Sequence, residues 1–431
     1  MQYKEYEIKK GIKVHTIKTE KFKTNIVSAF ITTELNKENV TKNAVISSIL
    51  RRGSMELKTQ EEINKKMEEM YGASFDCGLD KTGDNQIIKF YIETVNDKYL
   101  PEKSENILKN SIECLLNIIF NPYIENEKFK EEYLEQEKNN IKHLIEGKID
   151  NKRAYALERC IEEVYKNKPY GLYKFGYLED LEKINSQNLY EYYKNLINNC
   201  KIDIFISGNI EEDIIEFIKN NSNIKTLNER EPKYIKPNYI NKKLPESENV
   251  VIEKKDVTQG KLILGLDVNI KNTNSRYAVL MYNSLLGGTP NSKMFQNVRE
   301  KSHLAYVASS SYMRYKSNIF IICGIDIENY EKTLKLIKEQ IEEMEQGKFT
   351  DEDIKDAKKG IIASIKTIDD EQDTGIAYYF GQDLSEEYYT TEEYISNIEK
   401  IEKKDIIEIA KNVKINTIYF LTNNKPSSCE N

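Results

Sequence analysis

Two α+β halves of about 210 residues each, joined by an extended charged linker, are what the sequence predicts. Three observations carry that expectation. The order of strands and helices repeats once along the chain. The segment LEKINSQNLYEYYKNL (181–196) matches IEKIEKKDIIEIAKNV (398–413) without a gap, and each copy runs into a terminal strand. Between the copies, TLNEREPKYIKPNYINKKLPESEN (226–249) carries three prolines and many charges, as an interdomain linker does. The expected boundaries are an N-terminal domain at 1–225, a linker at 226–247 and a C-terminal domain at 248–431.

In the first half, VHTIKT and TNIVSAFITTEL alternate as two strands. Helices follow at about 39–52 and 59–71, separated by Gly53-Ser54. YGASFDCGLDKTGDNQIIKFYIETV reads as a hairpin turning at KTGDN. A long helical region from about 103 to 165 breaks at NPYIEN (121–126) and near GKIDN (147–151). The helix around 181–197 then leads into the strand KIDIFISGNI. The second half repeats the plan. VVIEKKDVTQGKLILGLDV gives two strands, and helices run over 274–287 and about 291–301. LAYVASSSYMRYKSNIFIICGI is a hairpin, helices occupy about 328–345 and 351–368, a further helix starts near 392, and INTIYFLTNN closes the chain's last sheet.

Composition excludes several functions. The 431 residues include 64 basic and 71 acidic side chains, for a net charge of −7 spread evenly along the chain. That argues against a nucleic-acid partner and offers no basic amphipathic anchor for a membrane. No run approaches the ~18–20 apolar residues of a membrane span, and the N-terminus has no apolar signal region. The expected location is cytoplasmic. Cys77, Cys114, Cys160, Cys200 and Cys323 read as buried reduced thiols, and Cys429 lies in a polar tail. His15, His143 and His303 are too far apart to place two imidazoles on one helical face.

The most informative segment is LLGGTPNSKMFQNVREKSHLAYVASSSY (285–312): a glycine turn, a short helix and an alternating strand. It closely resembles the second-domain signature of the insulinase/pitrilysin family of zinc metallopeptidases, which includes the mitochondrial processing peptidases. In that family an R-E-K-x-x-L-A-Y segment supplies an arginine and a tyrosine that reach into the substrate chamber. Here they are Arg299 and Tyr306. The resemblance implies two homologous sandwich halves, each a mixed, mostly antiparallel sheet packed with helices, that close as a clamshell.

Catalytic members of that family carry H-x-x-E-H on a first-domain helix that ends in a Gly-Thr or Gly-Ser turn. Zinc held by the two histidines and a later glutamate lowers the pKa of its water from 15.7 to about 7 and keeps a position open for the carbonyl. Aligned on Gly53-Ser54, the histidine positions hold Ala44 and Ser48, and the general-base position holds Ser47. The remaining ligand falls at or beside Leu144, with His143 and Glu146 as the neighbouring alternatives. One ligand cannot make a site, so this chain is expected to bind no metal of its own. Ser47 and Ser48, with no base nearby in sequence, read as small helix-packing residues rather than nucleophiles. His143 reads as a solvated helix residue, His303 as at most a polar lining group, and Gly287-Gly288 as a turn.

The resemblance implies a non-catalytic subunit. A homologous partner with an intact H-x-x-E-H would hold the zinc, and Arg299 and Tyr306 would complete a composite site for a peptide substrate. The other readings are a metal-free scaffold or assembly subunit and a peptide-binding module that takes no part in catalysis.

Overall fold

The computed structural model describes residues 2–100 and 106–424, so Cys429 and the start of the long helical region at 103 lie outside it. Two compact units emerge. Unit 1 comprises Met1–Gly147, Leu172–Lys236 and Asp369–Glu386; unit 2 comprises Lys148–Gly171, Pro237–Ile368 and Glu387–Asn431. The repeat seen in the sequence and the compact units are therefore different divisions. Each half of the sequence gives one helix to the other unit: Lys152–Val164 belongs to unit 2 and Gln372–Ser385 to unit 1.

Unit 1 holds β1 (Gln2–Lys9), β2 (Ile12–Lys18), β3 (Thr24–Glu34), β4 (Ser74–Thr82), β5 (Asn85–Val95), the short hairpin β6 (Ile124–Glu125) and β7 (Lys128–Phe129), and β8 (Lys201–Gly208). Its main sheet has the order β1-β2-β8-β3-β5-β4, with β2 and β8 parallel and the other neighbours antiparallel. Both faces are covered. Val27, Ala29 and Ile31 of β3 join the core under the helical layer, whereas Ile26 and Phe30 pack with Ile376, Phe380 and Leu384 of the Gln372–Ser385 helix. That is why β3 reads as a nearly continuous apolar run rather than a strict alternation.

Unit 2 holds β9 (Asn249–Lys254), β10 (Gly260–Val268), β11 (Ala305–Met313), β12 (Asn318–Ile325) and β13 (Val413–Thr422). The order is β11-β12-β10-β13-β9, with only β9 and β13 parallel. Strand for strand this is the unit 1 sheet without β1. Leu262, Leu264 and Leu266 of β10 face one core, and Ile263 faces the Lys152–Val164 helix, whose Ala156, Cys160, Ile161 and Val164 form its apolar stripe. Gly265 makes the approach possible, because a Cβ there would lie 2.7 Å from Val164 Cγ2.

Local signals behave as their chemistry demands. Thr59 and Glu62 form a capping box that starts the Gln60–Glu69 helix, and Thr350 and Asp353 do the same for Asp351–Lys366. Cys114, Cys160, Cys200 and Cys323 are buried free thiols, and Cys77 is half-buried. No helix among the described residues is long and apolar enough to cross a membrane.

Candidate functional site

Ala44, Ser47 and Ser48, the positions expected to match the family's metal and base residues, sit on the Val40–Ile49 helix of unit 1. Ala44 is fully buried and Ser47 nearly so. The Ser47 hydroxyl donates to the Ala44 carbonyl at 2.8 Å, and that of Ser48 reaches the same carbonyl at 3.4 Å. Both hydroxyls are thus turned back on their own helix. Gly53 ends this segment because a side chain there would meet the Lys58 carbonyl oxygen at 2.5 Å. On the Glu131–Glu146 helix Leu144 is 48% exposed, His143 is exposed beside Asn139, and Glu146 lies 3.9 Å from Lys142. Of these residues only His143 and Glu146 carry side chains that readily ligate a divalent cation, and both are exposed on the Glu131–Glu146 helix.

Other residues fill the region, and sequence reasoning did not single them out. Glu137 is buried and pairs with Arg52, while Asn140 donates to its second oxygen at 3.2 Å. The Cys77 thiol donates to the Ser47 carbonyl at 3.1 Å, and burial pushes it up to about 11. Glu137, Ile141 and Leu144 share a helix face at i, i+4 and i+7 spacing, which was visible in the sequence. The Arg52–Glu137 pair, 85 residues apart, was not.

Among the described residues one group has the spacing of a metal site: Glu5, His15 and Asp383. Its acids are already engaged. Lys13 reaches Asp383 at 2.7 Å and Glu5 at 2.8 Å, Lys201 binds both Asp383 and Asp203, and His15 Nε2 lies 3.2 Å from Asp203. Two ammonium groups stand where a cation would.

The Arg/Tyr half lies in unit 2. Arg299 belongs to the Met294–Lys301 segment, wound with i→i+5 hydrogen bonds, a form frequent at functional sites. Its side chain is 43% exposed, its Nε lies 3.4 Å from Glu300, and its guanidinium stacks 4.6 Å from the Phe295 ring centre. His303 takes a left-handed turn (φ +53°) that leads into β11. Tyr306 is the extra residue of a bulge, because Ala305 opposes Ile325 and Val307 opposes Gly324. A bulge re-aims a side chain, and Tyr306 is 60% exposed. Its phenol donates to Asp326 at 3.2 Å, which raises the Tyr306 pKa and keeps the group protonated. The glycine turn supports this strand: a Cβ on Gly287 would lie 2.6 Å from the Ser310 nitrogen on β11. Among the described residues β11 is also an edge strand, with no strand paired on its outer side.

The family model for the peptidase M16 inactive domain matches residues 183–361. A protein of Bacillus subtilis (strain 168), YmfF, described as a probable inactive metalloprotease, is 32% identical over 421 residues, 97% of either chain. This chain belongs to the M16 peptidase family. A solved conserved protein from Enterococcus faecalis V583 matches 99% of this M16 chain and 100% of its own, with 27% identity and a TM-score of 0.90. A solved M16 inactive domain from Pseudomonas fluorescens covers the same shares at 15% identity and a TM-score of 0.77, which speaks to the fold alone. This M16 member is an inactive, metallopeptidase-like protein.

Proposed function

We propose that this chain is the non-catalytic subunit of a heterodimeric zinc metallopeptidase that processes peptides. Arg299 and Tyr306 complete a composite active site whose zinc is held by a homologous partner with an intact H-x-x-E-H. The observation that carries this reading is an asymmetry. The metal positions of unit 1 are closed by hydroxyls bonded to their own helix, whereas Arg299 and Tyr306 stay exposed beside an open strand edge.

The chemistry follows from the donors. The Arg299 guanidinium would bind a peptide carbonyl and stabilise negative charge on its oxygen, while zinc held by the partner's H-x-x-E-H would supply the hydrolytic chemistry. Tyr306 has one proton, and Asp326 holds it in the free chain. Its lone pairs are then available to a peptide N–H. Donation to an oxyanion requires the phenol to swing off Asp326, a change that an exposed hydrogen bond in competition with water permits. Strand addition along β11 would set the register of the substrate backbone.

The test mixes this chain with an H-x-x-E-H-containing chain of similar length from the same genome and follows peptide cleavage. Activity that needs both chains, and that falls about 10²–10³-fold on Arg299→Ala with the complex intact, is the expected result. A partner that cuts equally well alone overturns the reading and leaves a scaffold or peptide-binding role.

A further inference from the structure

Unit 2's sheet stops at β9, and the matching position in unit 1 is not an end. β2 and β9 are equivalent: each pairs in parallel with the strand that closes its half of the repeat, β8 or β13. In unit 1 the outer side of β2 is then occupied by β1, paired antiparallel from Gln2 opposite Lys18 to Lys9 opposite Ile12. Among the described residues no strand pairs with the outer side of β9.

The consequence shows in the side chains. Ile12 and Val14 of β2 belong to the core under the helical layer and are fully buried. On the same face of β9, Val250 opposes Ile418 and Ile252 opposes Phe420 of β13. Yet Val250 is 53% exposed and Ile252 is 55% exposed. An unpaired edge that carries two exposed β-branched residues is a template for another strand, and soluble proteins usually blunt such edges with charge, proline or a bulge. β9 carries no proline, pairs with β13 without a register shift, and has its charges, Glu253 and Lys254, only at its C-terminal end.

We propose that β9 pairs antiparallel with β9 of a second copy of this chain, joining two unit 2 sheets across a two-fold axis. The sequence of the strand is self-complementary in one register. A two-fold axis through Val251 sets Val250 against the other copy's Ile252 and Glu248 against its Lys254, each contact occurring twice. Moving the axis to Ile252 sets Glu248 against Asp256, and moving it to Val250 sets Glu248 against Ile252. Only the central register matches both charge and apolarity. Glu248 is already in an ion pair, 2.7 Å from Lys338 with both side chains 37% exposed, and Lys254 is exposed.

This pairing goes beyond the proposed function and does not depend on it. β9 and β11 are opposite edges of one sheet, four strand spacings apart or about 19 Å. Arg299 and Tyr306 therefore remain free in the dimer. A six-residue strand buries less than the ~1,200–2,000 Å² of a stable interface, so the self-association is weak and concentration-dependent.

Analytical ultracentrifugation of the full chain alone, from low to high micromolar, tests the proposal. The wild type should shift from monomer to dimer over that range, and Ile252→Lys should remain monomeric with unchanged circular dichroism and Tm. The deciding experiment uses Lys254→Glu and Glu248→Lys. Each variant alone sets like charges against each other at both ends of the strand pair and should associate several-fold more weakly. Mixed in equal amounts, the two restore opposite charges at both ends and should form a dimer of one copy each. A wild type that stays monomeric overturns the proposal, as does a dimer indifferent to Ile252→Lys or a mixture no tighter than its components. None of these outcomes bears on whether Arg299 serves a peptidase.

Discussion

Units 1 and 2 share five strands in one topology, yet each has kept what the other lacks. Unit 1 has the extra strand β1 over the outer side of β2, and a helix on which Ala44, Ser47 and Ser48 are small, packed side chains. Among the described residues, unit 2 has an unpaired edge at β9 and the exposed Arg299 and Tyr306 beside a second unpaired edge at β11. The same scaffold occurs twice, and exposure differs between equivalent positions. In unit 1 Ala44 is packed and the Ser47 hydroxyl is satisfied within its own helix.

The comparison is most easily broken at the equivalent strands. Val14→Lys in β2 places an unpaired ammonium in a fully buried position, and we expect a loss of more than about 4 kcal/mol or failure to fold. Ile252→Lys in β9 should change stability by no more than about 0.5 kcal/mol, because the side chain already meets water. Urea denaturation of the two variants checks the pair. Equal losses would mean that β9 is as enclosed as β2.

The exchanged helices offer a second comparison. Gln372–Ser385 is tied to the unit 1 sheet through Asp383, which is fully buried and bonded to Lys13 and Lys201. Lys152–Val164 is tied to unit 2 through Tyr155 and Arg159, which donate to Glu253 of β9. Asp383→Asn leaves the buried Lys201 and the half-buried Lys13 short of an anion and should cost about 3–5 kcal/mol at pH 7. Although burial opposes its charge, Lys201 and Lys13 hold Asp383 well below the usual carboxylate range. A depressed folded pKa means that its stabilisation is present above the unfolded value of about 4 and is lost as the pH falls below it. The difference between wild type and Asp383→Asn in urea should therefore shrink below about pH 4. Glu253→Gln should cost less, roughly 1–2 kcal/mol, because Glu253 is 20% exposed and water replaces part of what is lost.

Much of this was legible in the sequence, for reasons that differ by element. β3, β5, β8 and β13 are apolar or alternating over eight or more residues, a pattern few other structures satisfy. The 285–312 motif was legible because its spacing is fixed by a turn, a short helix and a bulged strand. β1 escaped notice because QYKEYEIK follows neither the helical nor the strand period. The Gln372–Ser385 helix escaped because Gly375 and Gly381 and an aromatic run weaken its propensity, which the core around Phe30 and Phe205 overrides. The exchange of helices has no local signal at all. It rests on contacts such as Gly265 against Val164, set by residues far apart in sequence. In the site, Ala44, Ser47 and Ser48 were legible only as expected counterparts of metal and base positions, whereas the burial of Glu137 against Arg52 needed the fold.

The smallest expected effect is the most pointed test of the asymmetry between the units. Ser48 is half-buried, and its hydroxyl donates weakly to the Ala44 carbonyl within its own helix. Ser48→Ala removes that contact and improves helix propensity, so stability should stay within about 0.5 kcal/mol. Cleavage by the mixed subunits should not change, in contrast to the collapse expected for Arg299→Ala in the same assay. The two variants together ask which unit of this chain faces the substrate. A Ser48→Ala protein that assembles normally but loses activity would return the old metal helix to the reaction and shift the working surface from unit 2 to unit 1.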